Sequence, residues 1–265
     1  MYDFQYHRAA SLEDAAGKLK AAADGALVSG GMTLLPTLKL RLASPSDLVD
    51  IGGIAELSGI KADGGAVVIG ATATHAAVAG SADVQDKIPA LAALAGGIGD
   101  PQVRNRGTIG GSIANNDPAA DYPAACVALG ATIKTDRREI AADDFFSNLF
   151  ETALDDGEIV TAVSFPVPEK AAYEKFPNPA SRYALVGVFV AKGGDGVRVA
   201  VTGAGQDGVF RVVAMEEALA ASFSADAVAG VGVGSDGLNS DMHASNEYRA
   251  HLIGVMAKRA VAACG

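Results

Sequence analysis

The residues best suited to chemistry lie in two glycine-rich stretches about eighty positions apart. The first glycine segment, residues 29–33 (Ser-Gly-Gly-Met-Thr), follows the apolar run 26–28. The second glycine segment, residues 108–112 (Thr-Ile-Gly-Gly-Ser), follows the polar run 100–107. Because glycine has no Cβ, the N–H groups of a Gly-Gly turn can point the same way and contact an anion. Two such segments flanked by hydroxyl residues predict a site for a phosphate-bearing ligand.

Gly30-Gly31 alone is more typical of an ordinary turn, and Gly110-Gly111 alone is ambiguous. A third stretch, residues 203–208, matches the G-x-G-x-x-G pattern of dinucleotide-binding folds. That pattern requires a helix to open at once, with its N-terminus on the pyrophosphate. Here the next five residues, Val-Phe-Arg-Val-Val, are typical of a strand. The sequence therefore predicts a simple turn at residues 203–208.

Metal chemistry is not expected in this chain. Its two cysteines, Cys126 and Cys264, form no C-x-x-C pair, whereas an iron–sulfur cluster takes about four cysteine ligands. The four histidines show no metal-binding spacing, and each is interpreted as a surface or helix-capping residue: His7, His75, His243 and His251. No metal site is predicted.

Net charge and hydropathy exclude two classes of protein, those that bind nucleic acid and those that span a membrane. The net charge is −10 and no basic stripe is visible, so nucleic acid is not an expected partner. No apolar run approaches the ~18 residues of a membrane helix, and the N-terminus lacks the order of a signal peptide. We expect a cytoplasmic protein without a transmembrane segment.

Apolar patterning predicts an α+β chain with a boundary at residues 166–168 (Pro-Val-Pro). The first fifty residues predict a compact three-stranded unit, with a helix that starts at Ser11. The middle region predicts short helices, including 74–79, 88–95 and 121–129, and strands at 66–71, 131–135, 139–141 and 159–165. The last hundred residues predict an antiparallel meander and two helices, with strands at 171–176, 184–192, 197–202 and 209–213. A loop is predicted over residues 225–240.

Longer stretches around both glycine segments resemble a known family. Residues 29–42 and 100–114 resemble the two flavin loops of the medium subunit of carbon monoxide dehydrogenase, one of the xanthine dehydrogenase-like molybdenum hydroxylases. The acidic stretch 117–124 is similar to the one that follows the second loop in that family. Looser similarity at residues 172–176 and 246–249 extends the resemblance to nearly the whole chain.

The resemblance implies an α+β fold: a two-subdomain FAD-binding domain of the vanillyl-alcohol oxidase (PCMH) type plus a C-terminal α+β domain with a small antiparallel sheet. The expected bounds are 1–53 and 54–168 for the two subdomains and 169–265 for the C-terminal domain. The implied cofactor is FAD. The implied FAD-binding residues are Leu27, Val28, Ser29, Gly30, Gly31, Met32, Thr33, Thr108, Ile109, Gly110, Gly111, Ser112, Asp121, Lys175 and Tyr183.

The resemblance also implies roles for these residues. Backbone N–H groups of the first segment, with the hydroxyl of Thr33, bind the FAD pyrophosphate, and residues 108–111 form the opposite wall. Asp121 accepts hydrogen bonds from FAD, Lys175 places positive charge near the flavin, and Tyr183 covers the flavin ring. Without the resemblance, Asp121 is equally a helix cap and Tyr183 equally a core aromatic.

The implied function is electron transfer within a complex. A large subunit holds the molybdenum cofactor, a small subunit holds two-iron two-sulfur clusters, and FAD on this chain passes electrons to an external acceptor. The expected assembly is a dimer of heterotrimers, which can also lie at the inner face of the membrane. Two alternatives stay open: a self-sufficient FAD-dependent oxidase or dehydrogenase of the same fold, and an assembly module that has lost flavin. The substrate of the complex is not specified.

Several positions depart from the family or allow two interpretations. Met32-Thr33 stands where relatives often have His-Ser or Thr-Asp, which keeps the backbone donors but loses a histidine contact. Ser112 stands where some relatives carry Asp or Asn, and it lacks the G-x-S-x-G context of a hydrolase nucleophile. No catalytic residue is predicted. Arg104 and Arg106 form either a solvated rim or a contact that anchors a loop or a partner.

Overall fold

The computed structural model describes residues 1–264. Its first region is a three-stranded parallel sheet in the order β1-β3-β2. Ser11 caps the first helix by accepting a hydrogen bond from the N–H of Asp14 at 3.1 Å, as predicted. The elements of this region are β1 (Gln5–Arg8), α1 (Leu12–Ala21), β2 (Gly25–Val28), α2 (Leu34–Lys39) and β3 (Asp47–Asp50).

The middle region packs short helices against a five-stranded antiparallel sheet in the order β4-β5-β10-β6-β7. Val67, Ile69, Val163 and Phe165 of this sheet are buried in the largest core of the molecule. The elements are a 3₁₀ turn (Ala55–Leu57), β4 (Ile60–Asp63), β5 (Ala66–Gly70), α3 (His75–Gly80), α4 (Ala82–Lys87), α5 (Pro89–Gly96), α6 (Pro101–Arg104), α7 (Ile109–Asn115), α8 (Tyr122–Ala128), β6 (Thr132–Thr135), β7 (Glu139–Ala141), α9 (Ala142–Phe145), β8 (Phe146–Asn148), β9 (Glu151–Thr152) and β10 (Val160–Pro166).

The last region is the predicted antiparallel meander, a four-stranded sheet in the order β11-β12-β13-β14. Residues 184–191 of β12 are all buried, because Phe189 faces the large core of the middle region while Val188 and Val190 face a second core under α10 and α12. The elements are β11 (Lys170–Pro177), β12 (Ala184–Gly193), β13 (Gly196–Gly205), β14 (Gly208–Arg211), α10 (Val213–Ala221), α11 (Ala225–Ala229) and α12 (Asn246–Ala263).

Helix α8 joins the last two sheets into one body. Every residue of α8 is buried, and an all-apolar helix is stable only where neighbours cover all its faces. Its neighbours include β12, β13 and β14 on one side and α5 and α7 on the other. The site residue Asp121, directly before α8, therefore lies deep between two regions.

Two further sequence predictions have clear outcomes. Residues 203–208 form the end of β13 and a hairpin into β14, and the next helix begins only at Val213, so the turn prediction is confirmed. The loop prediction over 225–240 is wrong at its start, where Ser224 caps α11 and Val228 is buried. Within residues 1–264, no helix is both long and apolar enough to cross a membrane.

Candidate functional site

A cavity of about 490 Å³ brings the two glycine segments together. All three regions contribute residues to its wall. The predicted site residues that line it are Leu27, Val28, Ser29, Gly30, Gly31, Met32, Thr33, Thr108, Gly110, Gly111, Ser112, Asp121 and Tyr183. Ile109 and Lys175 do not line it: Ile109 is fully buried in the large core, and Lys175 lies behind Asp121.

The first glycine segment offers unused hydrogen-bond donors to this cavity. It connects β2 to α2 through Gly31, whose φ of +73° is a left-handed conformation that favours glycine. No hydrogen bond within residues 1–264 uses the backbone N–H groups of residues 29–33. The hydroxyl of Ser29 is also buried without a partner. Buried donors are normally paired, so this segment has the chemistry of an anion site that a ligand completes.

Residues 109–112 of the second glycine segment use their backbone donors internally. The segment forms the start of α7, where Thr108 is the N-cap. The four bonds are Ile109 N to Ala73 O (3.1 Å), Gly110 N to Ala71 O (2.9 Å), Gly111 N to Thr108 Oγ1 (3.3 Å) and Ser112 N to Thr108 O (3.0 Å). The general expectation that both segments offer N–H groups to an anion is therefore wrong for residues 109–112, since the protein already satisfies them.

Glycine is required in the second segment by packing. A Cβ on Gly110 would lie 2.6 Å from the Cβ of Ala71 and 2.7 Å from its carbonyl oxygen. A Cβ on Gly30 would likewise collide with the backbone of Arg106, just before the second segment. The first segment therefore contacts the residues just before the second, and these glycines allow the backbones around the cavity to approach closely.

Asp121 is a buried charged residue of the cavity wall, as is Glu158. Its side chain makes no capping hydrogen bond to α8, so the capping alternative is wrong. Instead, the hydroxyl of Tyr173 donates to Oδ1, and the ammonium of Lys175 lies 3.0 Å from Oδ1 and 3.2 Å from Oδ2. Burial raises the pKa of Asp121, and the Lys175 charge and the Tyr173 hydrogen bond oppose that rise.

Lys175 is held away from the cavity by these contacts. Its Nζ donates to the carbonyl oxygen of Gly97 at 3.0 Å as well as to Asp121. Tyr173 and Lys175 are two positions apart on β11, so both side chains point to the same face of the strand. The positive charge predicted near the ligand is therefore paired with the Asp121 carboxylate and does not line the cavity.

The surroundings of Tyr183 and Arg104 decide between the two interpretations that the sequence left open for each residue. Tyr183 is 46% exposed and lines the cavity, so it is not a core aromatic. Arg104 Nη1 donates to the carbonyl oxygens of Ile98 and Gly99, each at 3.0 Å. Since both of those residues line the cavity, Arg104 anchors a loop at its wall. Arg106 has an exposed side chain.

His75 is a cavity residue that the sequence interpretation missed. It is 5% exposed, lines the cavity, and packs its ring 5.4 Å from the ring of Tyr122. Burial lowers the pKa of His75 to about 4, so the imidazole is neutral near pH 7. Its interpretation as a surface or capping residue is wrong. Only the position of Thr74-His75 at the start of α3 was visible in the sequence, and that position does not reveal burial.

Comparison with known proteins identifies the family. Residues 2–168 match the model of the FAD binding domain in molybdopterin dehydrogenase. The carbon monoxide dehydrogenase medium chain of Hydrogenophaga pseudoflava is 35% identical over 97% of this chain and 96% of its own length. The nicotine 6-hydroxylase medium subunit of Paenarthrobacter nicotinovorans is 34% identical over 98% of this chain and 97% of its own length.

Comparison with solved structures indicates the same family. A chain of the reconstituted CO dehydrogenase from Oligotropha carboxidovorans superposes with a TM-score of 0.89 and 33% identity, covering 99% of this chain and 98% of its own. The chain belongs to the family of FAD-binding domains in molybdopterin dehydrogenases. Over nearly its full length, it is similar to the medium chain of carbon monoxide dehydrogenase. The resemblance, the α+β fold class and FAD as cofactor are thereby confirmed.

Proposed function

We propose that this chain is the FAD-carrying electron-transfer subunit of a molybdenum hydroxylase complex. Relatives that match it over nearly their whole length are named as medium chains or subunits, which favours this function over a self-sufficient oxidase or a module that has lost flavin. FAD supplies the redox chemistry when bound, taking up electrons from a partner's clusters and releasing them to an external acceptor. The chain itself binds and orients the cofactor.

The observation that carries this proposal is the set of unused donors in the first glycine segment. Five consecutive residues whose N–H groups have no hydrogen-bond partner in the described part of the chain, together with the Ser29 hydroxyl, which also has none there, fit the oxygens of a pyrophosphate. We assign these groups, with the Thr33 hydroxyl, to that part of FAD. Backbone donation does not depend on the side chain at Met32, so the departure from the family at this position leaves the N–H donors of residues 29–33 in place.

The other wall completes the proposed FAD site. Thr108, Gly110, Gly111 and Ser112 supply surface and shape to that wall. Asp121 supplies a hydrogen-bond acceptor whose orientation is set by Tyr173 and Lys175, so Lys175 acts indirectly. We assign the ring of Tyr183 to covering the flavin, and Ile109 to supporting the second segment from the core.

The proposed partners are a molybdenum-binding large subunit and an iron–sulfur small subunit, assembled as a dimer of heterotrimers in the cytoplasm. The two cysteines of this chain are too few for an iron–sulfur cluster, which supports the proposal that the clusters lie on another chain. We propose domain bounds at 1–53, 54–168 and 169–265. Affinity purification from the native cell, with identification of companion chains and measurement of molybdenum, iron and FAD, tests the assembly.

FAD titration of the full cofactor-free chain tests the site. We expect one FAD per chain with quenched flavin fluorescence. Gly31→Ala should weaken binding by on the order of tenfold, since a Cβ at φ +73° costs about 1–2 kcal/mol and forces the segment to rearrange. Gly194→Ala is the matched control, because a Cβ there meets no atom within 4 Å. Equal FAD affinity in both variants would contradict the proposed pyrophosphate site at residues 29–33.

A further inference from the structure

The ring of His75 lies beneath the second glycine segment. Its backbone N–H donates to the carbonyl oxygen of Gly107 at 2.9 Å, which ties the start of α3 to the residue before that segment. A Cβ on Gly107 would lie 2.6 Å from His75 Nε2, so the absence of a side chain there makes room for the imidazole edge. The ring is therefore fixed between Gly107 and Tyr122 at the cavity wall.

The two ring nitrogens of His75 have different surroundings. Nδ1 is fully buried and has no hydrogen-bond partner. Nε2 also makes no hydrogen bond to residues 1–264, but it is less enclosed than Nδ1 and lies against Gly107, which lines the cavity as His75 does. A buried N–H without an acceptor is rarer than a buried acceptor without a donor. The favoured neutral tautomer therefore carries its proton on Nε2.

We infer that His75 donates a hydrogen bond from Nε2–H to FAD bound in the cavity. This inference rests on the proposed function and adds a side-chain donor on the wall whose backbone donors are already used. The complementary group is an acceptor on the cofactor, either an oxygen or an unprotonated ring nitrogen. A residue that only fills space under Gly107 has no need of a nitrogen at this edge, which makes the contribution of the nitrogen measurable.

Three substitutions of His75 separate a donor from a packing residue. His75→Phe keeps an aromatic ring without nitrogen, His75→Gln places an amide near the position of Nε2, and His75→Asn places one near Nδ1. FAD affinity of the full cofactor-free chain is measured by fluorescence titration, and urea unfolding of the same samples gives stability. We expect Phe and Asn to weaken FAD binding by about tenfold, as for one lost hydrogen bond, and Gln to stay within about threefold of wild type.

Unfolding data distinguish the packing alternative. His75→Phe replaces an unpaired buried polar group by an apolar one, so we expect its cofactor-free stability to equal or exceed that of wild type while its FAD affinity falls. An unchanged FAD affinity in folded His75→Phe would overturn the inference, as would a loss in Gln equal to that in Phe. His251→Phe, on the exposed side of α12, is the matched control.

A second measurement covers variants that fail to fold. Long-range ¹H–¹⁵N spectra of the wild-type chain report the protonation of each histidine nitrogen with and without FAD. We expect the Nε2–H tautomer of His75 in both samples and a shift of its Nε2 signal on FAD binding. An unchanged signal, or a proton on Nδ1, would overturn the inference. Failure of the wild-type chain to bind FAD would instead contradict the proposed function.

Discussion

The two glycine segments have nearly the same composition but use their backbones differently. In the first, residues 29–33 leave every N–H group without a partner among residues 1–264, and Gly31 adopts a left-handed φ of +73°. In the second, residues 109–112 donate to Ala71, Ala73 and Thr108. The first segment keeps its donors available for a ligand, and the second pairs its donors within the protein. A Gly-Gly pair in a sequence therefore marks a close approach of backbone without telling whether a ligand or the protein itself makes it.

The largest expected difference between the segments appears in acid. Burial lowers the pKa of His75 from an ordinary 6.5 to about 4 under the second segment, whereas residues 29–33 carry no titratable side chain. Between these pH values the unfolded chain binds the proton and the folded chain does not, so the free energy of unfolding falls as pH falls. We expect up to about 3 kcal/mol to be lost by pH 4, as measured by urea unfolding.

The matched variant for the acid prediction is His75→Phe. It lacks the titrating group, so its stability should decline less between pH 6.5 and 4 than that of wild type. Parallel declines would show that other groups dominate and that His75 is not held neutral.

The next largest effect is expected from Gly110→Ala. The added Cβ overlaps both the Cβ and the carbonyl oxygen of Ala71, so we expect a loss of about 2 kcal/mol in stability of the cofactor-free chain. Gly17→Ala in α1 is the control, because its Cβ meets no atom within 4 Å and should stabilise the chain by about 0.5–1 kcal/mol. A neutral Gly110→Ala would contradict the packing role.

Thr108→Val should have a smaller effect on the second segment. The substitution preserves shape but removes the acceptor for the N–H of Gly111, and loss of such a cap costs about 1 kcal/mol. Chemical denaturation of the cofactor-free chain measures it. Thr108→Ser retains the hydroxyl and should keep most of the stability. Loss of FAD affinity without loss of stability would mean that this segment binds rather than packs.

Ser29→Ala should have the smallest effect and the opposite character. The hydroxyl of Ser29 is buried and unpaired, so its removal should leave the stability of the cofactor-free chain unchanged or slightly raised. FAD affinity should fall by roughly fivefold through loss of one donor. FAD titration and chemical denaturation of the same sample measure the affinity and the stability. A stability loss with unchanged affinity would remove the contrast between the two segments.

Much of the fold was predictable because its signals are local. Alternating apolar residues predicted the meander, Ser11 predicted the start of α1, and the strand-like residues after 203–208 excluded a dinucleotide turn. The α11 helix was missed because its short sequence is stabilised by burial of Val228 against a distant core.

The cavity was predictable in most of its lining residues but not in their contacts. Of the fifteen residues that the resemblance named, thirteen line one cavity, whereas Ile109 and Lys175 do not, and His75 was missed. The partners of the second segment, Ala71 and Ala73, belong to a chain segment more than thirty residues away. The burial of His75 depends on Gly107, and the orientation of Asp121 depends on Tyr173 and Lys175 on another sheet. Such relations arise from tertiary packing, which no local pattern records.

The hydrogen bonds from Tyr173 and Lys175 to Asp121 limit where this chain can be truncated or recombined with a relative. The family match ends at residue 168, but the donors to the Asp121 carboxylate come from β11, beyond that point. A polypeptide ending at 168 would keep the acid, lose both of its donors and uncover α8, which β12, β13 and β14 contact in the full chain. We therefore expect a chimaera between relatives to require the aspartate together with its tyrosine and lysine.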